Sequence, residues 1–141
     1  METHYQLNDA EFEKQFEDCV LDPGLFSHEA HLRLAWIHLK KYGINKATQN
    51  ICQQILKFAS HLGQKDKFNK TLTVAAVKAV YHFMQRSKQN NFSAFINEFP
   101  RLKYNFKELL RFHYGIDIFN SERAKKEYIE PDLLPFDYTH S

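Results

Sequence analysis

Apolar residues recur at every third or fourth position along most of the chain, and short polar segments separate these stretches. This spacing places the apolar side chains on one face of an α-helix. No stretch alternates apolar and polar residues as a half-buried strand does, and no repeat of fixed period occurs. The sequence therefore predicts an all-α fold, a single compact bundle of five to seven helices.

Capping residues predict where these helices begin. Asn8 and Glu11 have the spacing of a capping box ahead of the first helix, and Ser27 is the natural N-cap of the second. Gly43 is a good residue to end the second helix. Further helices are predicted over about residues 45–62, 70–87, 93–99, 101–113 and 122–128.

Composition limits the class of protein. The 141 residues predict one helical domain over 1–141, with 130–141 as an irregular C-terminal tail. A net charge of +2 without a basic cluster argues against nucleic-acid binding, and no apolar run reaches the roughly 18–20 residues of a membrane span. The N-terminus lacks the pattern of a signal peptide, and Cys19 and Cys52 suit reduced, buried thiols, so we expect a cytoplasmic protein. The oligomeric state is not indicated.

The first candidate site is a pair of histidines in the first turn of the second helix. His28 and His31 are three residues apart, so their side chains project from one face and can converge on a zinc or iron ion or on an organic ligand. The helix dipole favours their neutral form there. A third metal ligand would be His113, His61, Asp66 or a glutamate. The ordinary alternative is that His28 covers the helix start while His31 bonds to a backbone group in the core.

The second candidate site opens the fourth helix. The Thr71 and Thr73 hydroxyls can cap this helix or donate hydrogen bonds to a ligand, and capping is the better prediction from residue type alone. The sequence contains no phosphate-binding loop, dinucleotide-binding motif or legible catalytic triad.

Three blocks of the sequence resemble an uncharacterised family of small bacterial all-helical proteins. The blocks are Phe26–Trp36, Phe68–Thr73 and Glu130–Pro135. In the family they read aromatic-Thr/Ser-His-x-x-His-Leu, Tyr-His-x-Thr-x-Thr and Glu-Pro-Asp-Leu. The resemblance covers roughly residues 26–136 and implies no particular activity.

The resemblance implies that the histidine pair and the threonines belong to one recurring set, which favours a shared pocket. Asn69 stands where the family has a histidine in the second block. An amide is a poor ligand for zinc or iron but a good hydrogen-bonding group. This departure favours a small-molecule pocket over a metal site.

The leading hypothesis is thus a small-molecule pocket, with a neutral histidine as general base if the protein is an enzyme, a question that the sequence leaves open. The predicted ligand-binding residues are His28, His31, Asn69, Thr71, Thr73, His113 and Tyr114, and His28 and His31 are also the candidate catalytic residues. One alternative is a metal-binding protein or metalloenzyme that holds zinc or iron through His28 and His31. The other is a non-enzymatic protein-interaction module with an exposed aromatic patch.

Overall fold

The computed structural model describes residues 2–136, and these residues form seven α-helices and three short 3-10 helices, without a strand. The α-helices are α1 Asp9–Glu17, α2 His28–His61, α3 Lys70–Met84, α4 Phe92–Glu98, α5 Arg101–Tyr104, α6 Phe106–Arg111 and α7 Glu122–Lys126. The 3-10 helices are Thr3–Gln6, Pro23–Leu25 and Lys65–Lys67. The predicted all-α fold is confirmed. No helix within 2–136 is both long and apolar enough to cross a membrane.

The chain divides into two structural units, an N-terminal unit that ends at Phe68 and a C-terminal unit that begins at Asn69. Each is described by itself below. Of the predicted irregular tail, residues 130–136 contain no helix, and residues 137–141 lie outside the described residues.

The N-terminal unit begins with the predicted capping box. The Asn8 side chain accepts from the Glu11 backbone N–H at 2.8 Å, and the Glu11 carboxylate accepts from the Asn8 N–H at 3.0 Å. The helix that follows, α1, packs against α2. The ring of Phe16 lies 4.5 Å from that of Phe26 and 4.8 Å from that of Phe58, measured between centroids. Phe16, Phe26 and Phe58 thus form an aromatic cluster in this unit.

Helix α2 contains both the second and the third predicted helices. Gly43 interrupts it with non-helical dihedral angles (φ 81°, ψ 172°), a conformation that glycine adopts without steric cost. The segment from Leu32 to Leu39 is buried on every side, and Ala30 is also buried. Periodicity indicated one apolar face, whereas a helix enclosed all round must also bury its polar positions. Glu29 and Arg33 are therefore buried charged residues.

In the C-terminal unit, two details of the predicted helices are wrong. Helix α4 begins at Phe92 and not at residue 93, because the Asn91 side chain caps it by accepting from the Ala94 N–H at 2.8 Å. The predicted helix over residues 101–113 is divided into α5 and α6 at Asn105, which has φ −130° and ψ 35°. Asparagine favours such non-helical positions because its side chain competes with the backbone for hydrogen bonds.

Helix α3 packs against α7. Ala75 and Ala79 are buried on α3, and Ala124 on α7 is fully buried. Because alanine side chains are small, they let α7 pack closely against α3.

Candidate functional site

The start of α2 holds the histidine pair in a well-defined local geometry. Ser27 is the N-cap, as predicted, and its hydroxyl oxygen accepts from the Ala30 N–H at 3.2 Å. His31 Nδ1 lies 2.9 Å from the Ser27 carbonyl oxygen. The ring of His31 also packs on Phe26, with 3.7 Å between centroids. The cap and the aromatic cluster thus fix the orientation of this imidazole.

The hydrogen bond to Ser27 determines the tautomer of His31. A carbonyl oxygen only accepts, so Nδ1 carries the proton and the lone pair of the neutral ring is on Nε2. The pKa of His31 is lowered to about 4, mainly by burial of the ring and to a smaller extent by the neighbouring His28, while the bond to Ser27 opposes both effects. His31 is therefore a neutral imidazole at physiological pH. The ordinary alternative, a backbone bond to His31, is confirmed, yet this bond occupies only one of its two nitrogens.

His28 and His38 differ from His31 in their surroundings. The side chain of His28 is exposed. His38 is almost fully buried, and its Nδ1 faces the Asn50 amide nitrogen at 3.4 Å. Among the described residues, His38 Nε2 has no hydrogen-bond partner. His38 is thus a core residue with one unsatisfied nitrogen.

A second cluster at the start of α2 joins Glu29 to Glu2 and His4 of the N-terminal segment, which we define as residues 2–8. The ligand atoms of Glu2, His4 and Glu29 all lie within 4.8 Å of one another, which is close enough to surround a metal ion. His4 and Glu29 are buried, and His4 Nε2 lies 2.7 Å from Glu29 Oε2. The Ser27 hydroxyl donates to Glu2 Oε1 at 2.5 Å. Neither predicted metal ligand, His28 or His31, belongs to this group.

Arg33 determines the tautomer of His4 in this cluster. Its Nη1 lies 3.2 Å from His4 Nδ1 and donates to the His4 carbonyl oxygen at 2.9 Å. A guanidinium group only donates, so His4 Nδ1 must accept and the proton of the neutral ring lies on Nε2. That proton points at Glu29. A metal ion at Nε2 would move the proton to Nδ1, where it would face the Arg33 cation. The geometry therefore fits a proton-bridged His4–Glu29 pair better than a metal site.

Sequence reasoning missed His4, Glu29 and Arg33. The available signal was the i, i+4 spacing of Glu29 and Arg33, two charged residues in the mainly apolar stretch of the second predicted helix. Their partners could not be found from the sequence because they are 24 to 29 positions away, where Arg33 Nη2 donates to Asp9 Oδ1 at 2.9 Å. This network attaches the N-terminal segment to α2.

Asn69, Thr71 and Thr73, which were predicted to share a pocket with the histidine pair, lie in the C-terminal unit and form hydrogen bonds with its backbone. The side-chain oxygen of Asn69 caps α3 by accepting from the Leu72 N–H at 2.9 Å. The prediction that a threonine caps this helix is therefore wrong. The Asn69 amide nitrogen donates to the Ile118 carbonyl oxygen at 2.8 Å. Thr73 donates to the Asn69 carbonyl oxygen one turn earlier, at 2.8 Å.

Thr71 uses both hydrogen-bonding functions of its hydroxyl on the C-terminal segment, which we define as residues 127–136. The hydroxyl donates to the Glu127 carbonyl oxygen at 2.8 Å and accepts from the Ile129 N–H at 3.0 Å. The side chain of Thr71 is fully buried. This residue therefore fastens the start of the C-terminal segment to α3.

His113 and Tyr114 hold the same segment further along. His113 Nδ1 lies 2.7 Å from the Leu134 carbonyl oxygen, and its ring stacks on Phe136 with 4.3 Å between centroids. The Tyr114 hydroxyl donates to the Ile129 carbonyl oxygen at 2.7 Å. Burial and the Tyr128 hydroxyl raise the pKa of Tyr114, so its phenol stays protonated. The structure thus brings Thr71, His113 and Tyr114 to one segment.

Comparison of the chain with protein-family models, curated proteins and solved structures found no match.

Proposed function

We propose that the chain is a small-molecule-binding protein whose site lies at the start of α2, with His31 as the central polar group. The observation that carries this proposal is the 2.9 Å hydrogen bond between His31 Nδ1 and the Ser27 carbonyl oxygen. It supports a neutral ring whose Nε2 lone pair accepts a hydrogen bond from a ligand. The ligand class is a small molecule with a hydroxyl, amide or amine donor.

The pKa of His31 favours binding over proton abstraction. General-base catalysis works best when the pKa of the base lies near the working pH. Burial lowers the pKa of His31 to about 4, so the ring is neutral at pH 7 but a weak proton acceptor. We therefore propose His31 as a binding residue. Catalytic roles for His28 and His31 stay predictions, and so does ligand binding by Asn69, Thr71 and Thr73.

Substitution of His31 tests the proposal. His31→Phe keeps a ring against Phe26 and removes both nitrogens, and His61→Phe is a matched control because His61 is exposed at the other end of α2. We expect a screen of small alcohols, amides and amines by protein-observed NMR to find compounds that shift the amides of residues 27–32. Affinity should fall about tenfold in His31→Phe, as for loss of one buried hydrogen bond, and should be kept in His61→Phe. Equal binding by both variants, or no binding to the natural chain, contradicts the proposal.

Metal binding by His28 and His31 is the second candidate function. Histidines that bind metal ions commonly donate their other ring N–H to a backbone carbonyl, and the bond between His31 and Ser27 has this form. Zinc or ferrous iron would then be held at His31 Nε2. Titration of tag-free protein with either ion tests this function: stoichiometric binding that His31→Phe abolishes supports it, and absence of binding ends it.

Two further aspects stay proposals. A cytoplasmic location is supported by Cys19 and Cys52, both of which are free thiols. A non-enzymatic interaction module is supported by exposed aromatic rings, of which Tyr104 and Phe112 in the C-terminal unit are the most exposed among the described residues.

A further inference from the structure

A cleft of about 530 Å³ opens in the C-terminal unit, and its lining includes Tyr114 and Ile118. One wall is the side of α6 that carries Lys107 and Arg111, and the other is the loop that includes Asp117, Phe119 and Asn120. The volume falls within the range of roughly 300–1,000 Å³ that is usual for small-molecule sites. A cleft of this volume accommodates an organic molecule and is larger than an inorganic ion requires.

The loop wall of the cleft is fixed before any ligand arrives. Asp117 Oδ1 accepts from the Phe119 N–H at 3.0 Å, and Asp117 Oδ2 accepts from the Asn120 amide at 2.8 Å. The Ile118 carbonyl oxygen accepts from the Asn69 side chain at 2.8 Å. Because binding to a preformed wall costs less ordering entropy, such a wall favours ligand binding.

The charges of the cleft are unbalanced. Lys107 and Arg111 are both exposed at its edge, and Asp117 is the one acidic residue in its lining. Both oxygens of Asp117 already accept hydrogen bonds within the loop. Lys107 Nζ lies 5.1 Å from the centroid of the Phe119 ring, whereas Arg111 has no hydrogen bond or ion pair with another described residue. The guanidinium group is thus available to an anion.

We propose that this cleft binds a small organic anion, a carboxylate or phosphate monoester carried on an aromatic ring. Arg111 would bind the anionic group through two parallel N–H donors, and Lys107 would contribute a point charge. Phe119 offers a ring face and Leu110 and Ile116 apolar contacts for the body of the ligand. This proposal does not rest on the function proposed for the start of α2.

Titrations with defined probes test the inference. Benzoate and phenyl phosphate supply the two anionic groups on one ring, benzamide is the neutral counterpart, and inorganic phosphate lacks the ring. We expect benzoate or phenyl phosphate to shift the amides of residues 107–120 saturably, about tenfold more tightly than benzamide or inorganic phosphate, and to bind less well as salt is raised. The stronger of the two identifies the anionic group.

The matched variants are Arg111→Gln and Arg101→Gln, which remove one exposed arginine each from the C-terminal unit. Arg101 does not line the cleft, so it is the control. We expect about tenfold weaker binding of the preferred probe to Arg111→Gln and unchanged binding to Arg101→Gln. Benzamide binding as tightly as the anions, equal losses in both variants, or no saturable binding of either anion overturns the inference.

Discussion

Replacing Thr71 with valine separates a structural role of this residue from a ligand-binding role. Valine has nearly the same shape as threonine, so Thr71→Val removes the hydroxyl without leaving a cavity. Two hydrogen bonds disappear, one to the Glu127 carbonyl oxygen at 2.8 Å and one from the Ile129 N–H at 3.0 Å. Thr71 is fully buried, so valine at this position places a methyl group, which can neither donate nor accept a hydrogen bond, against both backbone groups.

The size of the effect follows from these two bonds. Each is worth about 1 kcal/mol net, so we expect Thr71→Val to lower the free energy of unfolding by roughly 2 kcal/mol. Thr73→Val is the matched control, because the Thr73 hydroxyl makes one bond, to a carbonyl oxygen of its own helix, and its loss should cost less than about 1 kcal/mol.

Urea unfolding followed by circular dichroism measures both changes, and amide hydrogen exchange of residues 127–136 localises them. Faster exchange of Ile129 in Thr71→Val alone is expected. Unchanged stability and exchange in Thr71→Val would refute the reasoning, because the hydroxyl would then not hold the C-terminal segment.

Three further perturbations have expected outcomes. Cys19 has φ 59°, a left-handed conformation that costs a non-glycine residue about 1 kcal/mol. Cys19→Gly should therefore raise the free energy of unfolding by up to that amount. Gly63 has φ 71°, so Gly63→Ala should lower it in the same unfolding assay. Arg33→Met should lower the free energy of unfolding by about 3 kcal/mol, because it leaves buried His4 without its cationic donor; a loss below about 1 kcal/mol contradicts the network. His31 is protonated near pH 6.5 in the unfolded chain and only near pH 4 in the folded chain. The free energy of unfolding should therefore fall as the pH drops from about 6.5 to about 4, and this fall should be smaller in His31→Phe. Equal falls in both proteins contradict the lowered pKa of His31.

The features that sequence predicts correctly here are local ones. The capping box at Asn8 and the cap at Ser27 depend on residues three positions apart, and Gly43 marks the interruption of α2 because only glycine takes its backbone angles readily. The break at Asn105 is also local, but an asparagine within an apolar periodic stretch is compatible with a helix. Periodicity therefore predicted one helix where the structure has two.

The candidate site could be predicted only in part. His31 was identified, and so was the possibility of its bond to a backbone group, because both follow from its place in the first turn of a capped helix. The partners of Glu29 and Arg33 were not identifiable, since the contacts of these residues span 24 to 29 positions. Such pairs depend on how α1 and the N-terminal segment pack on α2.

The motifs behind the family resemblance acquire a physical meaning in the C-terminal unit. Thr71, from the second block, binds the backbone immediately before the third block. Asp132, from the third block, accepts from the Gly115 N–H at 2.9 Å. Together with His113 and Tyr114, these residues hold the C-terminal segment. A recurring motif can thus specify a fold, and membership of the family stays a prediction.

The most direct test of the proposed function is the protonation state of His31. NMR titration of protein labelled with ¹⁵N-histidine gives the tautomer from the ring nitrogen shifts and the pKa from their pH dependence. A neutral ring with its proton on Nδ1 and a pKa of about 4 is the predicted result. A pKa near the ordinary value of about 6.5, or a proton on Nε2, would contradict a site in which His31 Nε2 accepts a hydrogen bond from a ligand.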